Sequence, residues 1–288
     1  MINAVPAILA FAIGACIGSF LNVCIARWPA EQSVVRPRSR CPGCGSPIAW
    51  YDNVPILSWI ILRARCRQCG VPISVQYPLI ELIVALGWVL AVLAFGPTFT
   101  ALRIAIFGTV LLGIAMTDLK HYLIPDGFTI FGLVFVLGTS IISFISGDVS
   151  PFAEPWDALI GACTGAGAIA IVGWLGEATL KREAMGFGDV TLMAVIGAAL
   201  GPARSLLVIF IGAALGALVS VLIVFPIMRL RKRVVIGDAT ATVTDAGETT
   251  GLPNVPFGVY LAPAALIVLF AGERIITWYL SRTPGGVP

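Results

Sequence analysis

Charge is scarce in this sequence, and histidine scarcer. Only 11% of the 288 residues are charged, against roughly a quarter in an ordinary soluble domain. So few charges could not cover the surface of a soluble protein of this length, which excludes the soluble globular class. The single histidine, His121, excludes the two-histidine zinc motif of metalloproteases. It also leaves any serine or cysteine nucleophile one histidine at most as its base. There is no G-x-G-x-x-G turn of the soluble Rossmann type, no solenoid repeat and no low-complexity tract. A net charge of +3 gives no sign of a nucleic-acid partner. Residues 1–26 carry no basic n-region, so they read as a retained first span and not as a cleaved leader.

What is present is apolar sequence, 58% hydrophobic with a mean hydropathy of +0.98. A helix needs about 20 apolar residues to cross a bilayer. The runs predict spans near 4–26, 78–95, 101–117, 127–146, 157–178, 190–202, 204–227 and 257–280. The sixth is short, and its boundary with the seventh at Gly201-Pro202 makes the count eight or seven. The expected fold is therefore an all-α polytopic membrane protein of about eight transmembrane helices. Fourteen of the eighteen Lys and Arg fall in alternate loops, four on the other side with Asp148, Glu154 and Asp157. The positive-inside rule then places the 27–77 loop in the cytoplasm and both termini outside.

The loop at 27–77 holds four of the seven cysteines, as Cys41-Pro-Gly-Cys44-Gly45 and Cys66-Arg-Gln-Cys69-Gly70. Four thiolates in two C-x-x-C turns suit tetrahedral Zn2+, and the following glycines permit the tight turns. A segment this small has too little core to fold without a staple. Two disulfides or a redox pair are the alternatives, and a cytoplasmic setting disfavours stable disulfides. The site closes on four protein ligands, which suits a structural metal. Cys16, Cys24 and Cys163 lie in apolar runs and read as small core residues. The 228–256 segment is polar after a basic cluster, and its 234–236 and 240–244 runs could pair as a hairpin.

Two carboxylates stand at the cytoplasmic ends of spans: Asp118 closing the third, and Asp189 opening the sixth within Gly186-Phe-Gly188-Asp189. An ionisable residue beside an apolar span is a functional candidate by default. Two carboxylates held close share a proton, one acting as acid and one as base on an intervening water. Such a pair hydrolyses peptides without the metal, serine or histidine chemistry this sequence is short of. Gly186 and Gly188 would let an extended substrate approach Asp189, and a helix N-terminus there favours negative charge. A lone Asp at a helix end is also commonly a cap, Asp126 after Pro125 included. Periodicity does not say whether the third and sixth spans touch. Glu81, just inside the second span, reads equally as a functional membrane carboxylate or a structural partner. Asn22 reads as a helix–helix hydrogen bond, and Trp28, Trp50 and Trp59 as interface markers.

In order and spacing these motifs resemble the prepilin peptidases of type IV pilus and type II secretion systems, G-x-G-D membrane aspartyl proteases. The likeness runs through Gly18-Ser-Phe-Leu-Asn22, Arg27-Trp-Pro29 and the two cysteine pairs with Tyr51 to Trp59 between them. It continues through Ser74-Val-Gln-Tyr77-Pro78-Leu-Ile-Glu81, Asp118 to Pro125-Asp126, Gly186 to Asp189 and Pro256-Phe257-Gly258. The resemblance implies that Asp118 and Asp189 are catalytic, supported by Gly186, Gly188 and Asp126. It implies cleavage of prepilin or pseudopilin leaders in a bacterial inner membrane, and N-methylation of the new terminus with S-adenosylmethionine. It departs at Thr191, where the family usually has lysine, and at Val259, where it usually has proline. The implied division is a first helix at 1–26, a zinc-binding cytoplasmic domain at 27–77, a peptidase core at 78–227, a cytoplasmic loop at 228–256 and a last helix with its tail at 257–288. The rival readings are a peptidase without methyltransferase activity, a non-enzymatic zinc-loop adaptor, and a proton-coupled transporter. Midplane sites are usual for transporters, and these aspartates sit at one edge.

Overall fold

The structure is a computed structural model and describes residues 4–181, 185–224, 226 and 256–282. Eight principal helices occur where the apolar runs predict them. They are α1 (Ala4–Arg27), α3 (Gln76–Phe95), α4 (Phe99–His121), α5 (Asp126–Ser146), α6 (Pro155–Leu180), α7 (Phe187–Leu200), α8 (Pro202–Val219) and α9 (Gly258–Leu280). A short α2 (Leu57–Ile61) lies in the cysteine loop, and a π-helical turn at Ser220–Val224 extends α8. Among the described residues there is no strand, only isolated bridges at Arg40–Pro47 and Arg65–Pro72. All of the 228–256 segment except Pro256, and with it the expected hairpin, lies outside the described residues.

Seven of the eight helices are long and apolar enough to cross a membrane, so the chain is a multi-pass membrane protein. The exception is α7. Fourteen residues make about 21 Å of helix, less than the roughly 30 Å hydrocarbon core. It survives by being enclosed. It packs against α5, α6, α8 and α9, and Leu192, Met193, Val195 and Ile196 are fully buried.

Lipid is as apolar as leucine, so helices in a bilayer associate through close packing between small residues. Gly14 and Gly18 of α1 do this against α3: a Cβ on Gly18 would stand 2.7 Å from the Glu81 Cα, and one on Gly14 2.9 Å from the Ala85 Cα. Gly161 and Gly165 of α6 meet the backbone of α7 at Gly197 and Met193 just as closely. Asn22 ties the first pair together, donating from Nδ2 to the Tyr77 carbonyl at 3.1 Å. The expected helix–helix hydrogen bond is present.

Two cysteine expectations are corrected. Cys24 is buried, but Cys16 and Cys163 are exposed, because their helix faces look outward, where an apolar thiol needs no protein neighbour in lipid. Two of the expected interface tryptophans carry specific contacts. Trp28 packs edge-on against Phe128 with centroids 4.3 Å apart, and the Trp59 indole N–H donates to the Ile73 carbonyl. At the opposite end of the bundle Arg103 is buried. It donates to the Thr139 and Ser150 hydroxyls and lies 4.3 Å from the Phe152 ring centre.

Candidate active site and metal centre

Because successive long helices alternate in direction, the C-terminal end of α4 and the N-terminal ends of α5, α7 and α9 meet at the end of the bundle that carries the cysteine loop. Asp118 lies in the last turn of α4 and is buried. Its Oδ2 accepts the Val259 N–H at 3.2 Å, across 141 residues of chain. Asp189 lies in the first turn of α7, half-buried. Its N–H donates to the Gly186 carbonyl, and the preceding Gly188 packs on Ile124, which also lies against Gly258 beside Asp118. The two carboxylates that the sequence placed on separate spans stand at the same end of the bundle, linked through Ile124, with Asp189 on the favourable pole of its helix.

Ile124 is the residue that the sequence reading missed. It is buried in the turn between α4 and α5 and fills the space beside two glycines. A Cβ on Gly188 would come within 2.9 Å of the Ile124 Cβ, and one on Gly258 within 2.8 Å of the Asp118 Oδ2 and 3.2 Å of the Ile124 Cδ1. Gly188 therefore makes room for Ile124, whereas the sequence suggested room for a substrate. The signal for Gly258 and Val259 was the Pro256-Phe-Gly motif, which had no role attached to it.

Asp126 is exposed and opens α5 without a side-chain cap; Pro125 holds the cap position. The capping alternative is absent, and the carboxylate faces outward beside the site. Around the aspartates Leu119, Tyr122, Leu123 and Phe187 are large and exposed. Thr191, one of the two departures from the resemblance, donates from its hydroxyl to the Gly188 carbonyl.

The cysteine loop is built from two near-identical turns. In each, the first cysteine accepts a bond from the glycine four residues on: Gly45 to Cys41 and Gly70 to Cys66, both at 2.9 Å. Both glycines have φ near +70°, where a side chain would be strained. The four sulfurs all lie within 4.8 Å of one another, with Cys41 and Cys69 3.7 Å apart. Zinc–sulfur bonds of about 2.3 Å at tetrahedral corners separate sulfurs by about 3.8 Å, so the set fits zinc. Hydrogen bonding by Ser46 pulls the Cys44 thiol down to about 6. The Cys69 and Gln68 N–H groups lower Cys66. Although the Val71 N–H favours its thiolate, Cys69 is pushed up to about 11 by desolvation and the neighbouring thiols. Across the loop Arg67 grips Asp52 through a forked pair, Nη2–Oδ1 being 2.6 Å. That bond holds the Asp52 carboxyl below its usual range.

Glu81 joins this loop to the membrane helices. It is buried, and its Oε2 accepts the Ile56 N–H at 2.7 Å. Ile56 has φ 63°, a conformation that costs a β-branched residue energy and persists only where neighbours enforce it.

Comparison with known proteins agrees with this architecture. The family described as the bacterial peptidase A24 N-terminal domain matches residues 12–95, and the type IV leader peptidase family matches residues 104–221. A Myxococcus xanthus protein named prepilin leader peptidase/N-methyltransferase is 44% identical over 194 residues, 67% of this chain and 56% of that protein. The chain thus spans little more than half the length of that relative. An Aeromonas hydrophila protein of the same name is 32% identical over 95% of this chain and 93% of its own length. A type 4 prepilin-like protein leader peptide-processing enzyme of Escherichia coli is 37% identical over 68% of this chain and 77% of its own. No solved structure is significantly similar. On the strength of relatives matched over most of both chains, this protein belongs to the type IV leader peptidase family.

Proposed function

We propose that this chain is a membrane aspartyl endopeptidase that removes the leader peptides of type IV prepilins or pseudopilins. In this reading it works at the cytoplasmic face of a bacterial inner membrane and N-methylates the new N-terminal residue. One observation supports the reading: Asp118 and Asp189, from separate helices, stand at the end of the bundle that bears the basic loop, with Ile124 packed between the Gly188 and Gly258 segments beside them. The relatives' names supply the leader peptide and the methyl group.

The chemistry follows from the arrangement. One carboxyl of the pair takes a proton from a water between them, and the water's oxygen bonds to the scissile carbonyl carbon. The other carboxyl supplies a proton, and as the carbon–nitrogen bond breaks the leaving amine is protonated. Val259 and Gly258 fix Asp118, and Ile124 keys the two glycine segments against it. The exposed Leu119, Leu123 and Phe187 offer an apolar rim to the hydrophobic segment that follows a leader. In this division residues 27–77 form the cytoplasmic domain, with Cys41, Cys44, Cys66 and Cys69 holding a structural zinc, and 78–227 the peptidase core. S-adenosylmethionine would supply the methyl group from its sulfonium sulfur.

The test is leader cleavage of a purified prepilin by the detergent-solubilised protein. Wild type should cut, and Asp118→Ala and Asp189→Ala should each lose at least about 100-fold, the scale of acid–base catalysis. Cleavage by either variant at the wild-type rate would remove the dyad, and a folded wild type that leaves prepilin intact would favour an adaptor.

A further inference from the structure

Under the cysteine loop, against the loop-side ends of α1 and α3, lies a cavity of about 560 Å³. Small-molecule sites occupy about 300–1,000 Å³. Asn22 and Glu81 form its membrane-side floor, Tyr51 and Trp59 stand in its wall, and the Asp52–Arg67 pair edges it on the loop side. Neither Asp118 nor Asp189 lines it.

Glu81 is the informative residue. A buried carboxylate is costly unless it is paired and hydrogen-bonded. Glu81 is only 7% exposed; the Ile56 N–H satisfies one of its oxygens, and the Ser19 hydroxyl also hydrogen-bonds the carboxyl. Among the described residues no cation pairs with it; of the arginines that line the cavity, Arg67 is engaged with Asp52 and Arg27 donates to the Ser33 carbonyl, and Arg40 is exposed. The cavity thus presents a buried carboxylate that no cation pairs, beside the Trp59 ring and the Tyr51 ring, over which the Arg67 guanidinium lies at 5.7 Å. That combination recognises a cation carrying a flat ring, because aromatic faces attract cations and stack on planar groups.

We propose that this cavity binds the sulfonium methyl donor, with Glu81 facing the sulfonium and the aromatic wall holding the base. The proposal rests on the methyltransferase half of the function proposed above and assigns that activity a place apart from the aspartates. A free peptide amine is the other cation the reaction involves, but it has no ring to occupy the aromatic wall. The site also explains why Ile56 is held in a strained conformation: the bond that holds it sets one carboxylate oxygen and shapes the cavity wall.

The experiment measures binding directly, without a prepilin. Zinc-loaded wild type in detergent is titrated with tritiated S-adenosylmethionine and with S-adenosylhomocysteine, whose sulfur is neutral, and the bound donor is photocrosslinked and mapped. Saturable binding at one site per chain is expected, with crosslinks confined to the peptides bearing Tyr51–Trp59 or Tyr77–Glu81. Ala26→Trp fills the cavity from an exposed position in the last turn of α1. It should weaken the donor at least tenfold with zinc content and thermal unfolding unchanged. Glu81→Gln should weaken the sulfonium donor at least tenfold and the neutral product less than threefold. Equal losses for the two ligands, full affinity in Ala26→Trp, or crosslinks elsewhere would overturn the site while leaving a methyltransferase. No saturable binding by wild type would overturn both, and leader cleavage would stand or fall by its own assay.

Discussion

The Val259 N–H donates to the Asp118 carboxylate at 3.2 Å, and the glycine before it leaves no room for a side chain: a Cβ on Gly258 would sit 2.8 Å from the same oxygen. The start of α9 therefore acts as a mould for one member of the dyad. Gly258→Ala should displace that carboxylate by a fraction of an ångström and lower leader cleavage by at least tenfold. Misplacement on the ångström scale costs catalysis far more than it costs folding. Gly108→Ala on α4, where a Cβ meets nothing within 4 Å, should cut normally and unfold no earlier. A Gly258→Ala enzyme with wild-type kcat would show that the contact is incidental.

Ile124 couples the two glycine-bearing segments, so its volume matters in both directions. Gly188→Ala places a methyl 2.9 Å from the Ile124 Cβ, an overpacking that costs about 1–3 kcal/mol in a well-packed site. Ile124→Ala empties the same space and should cost about 2–5 kcal/mol. Both should lower kcat more than they raise KM, because the dyad geometry is disturbed and the apolar rim is not. Thermal unfolding with steady-state cleavage separates the two effects. A pure KM change in either variant would mean that Gly188 serves substrate approach after all.

The reach of the sequence is clear from where it stopped. Every span was readable because an apolar run is a one-dimensional signal, and Gly201-Pro202 does separate α7 from α8. The cysteine cluster was readable because two matched C-x-x-C-G turns fix their own local geometry. The meeting of α4, α7 and α9 was not, since in an apolar helix nearly every face is hydrophobic and periodicity cannot say which neighbour it meets. Ile124 and Ile56 were invisible for a different reason. An isoleucine next to a turn looks like any other apolar residue until its partners, Gly188 and Gly258 for one and Glu81 for the other, are in place.

Zinc should be present at one atom per chain in protein purified without chelator, as read by elemental analysis. Cys44→Ser or Cys69→Ser should abolish it, since three thiolates and a hydroxyl hold zinc far less well than four thiolates. Removing the metal should expose residues 41–69 to protease while the membrane helices resist, because their packing does not involve the loop sulfurs. Wild type that is metal-free yet equally resistant in this loop would leave the four sulfurs without a structural role.

Glu81 provides the last and most discriminating case, since it serves as both a tether and a charge. Glu81→Leu removes the acceptor for the Ile56 N–H, and a buried donor left unsatisfied costs about 1–3 kcal/mol. Only the Ile60 N–H bond to its carbonyl and the Ser58 bonds around it would then hold Ile56 at its positive φ, so the 50–62 segment should loosen and become more sensitive to limited proteolysis. Glu81→Gln keeps an oxygen at the same place, and its segment should stay nearly as resistant as in wild type. Protease digestion of the three proteins side by side checks this order. If the leucine variant resists as well as the glutamine variant, the loop is held by its metal alone, and the bond between Glu81 and Ile56 is a consequence of the fold instead of one of its causes.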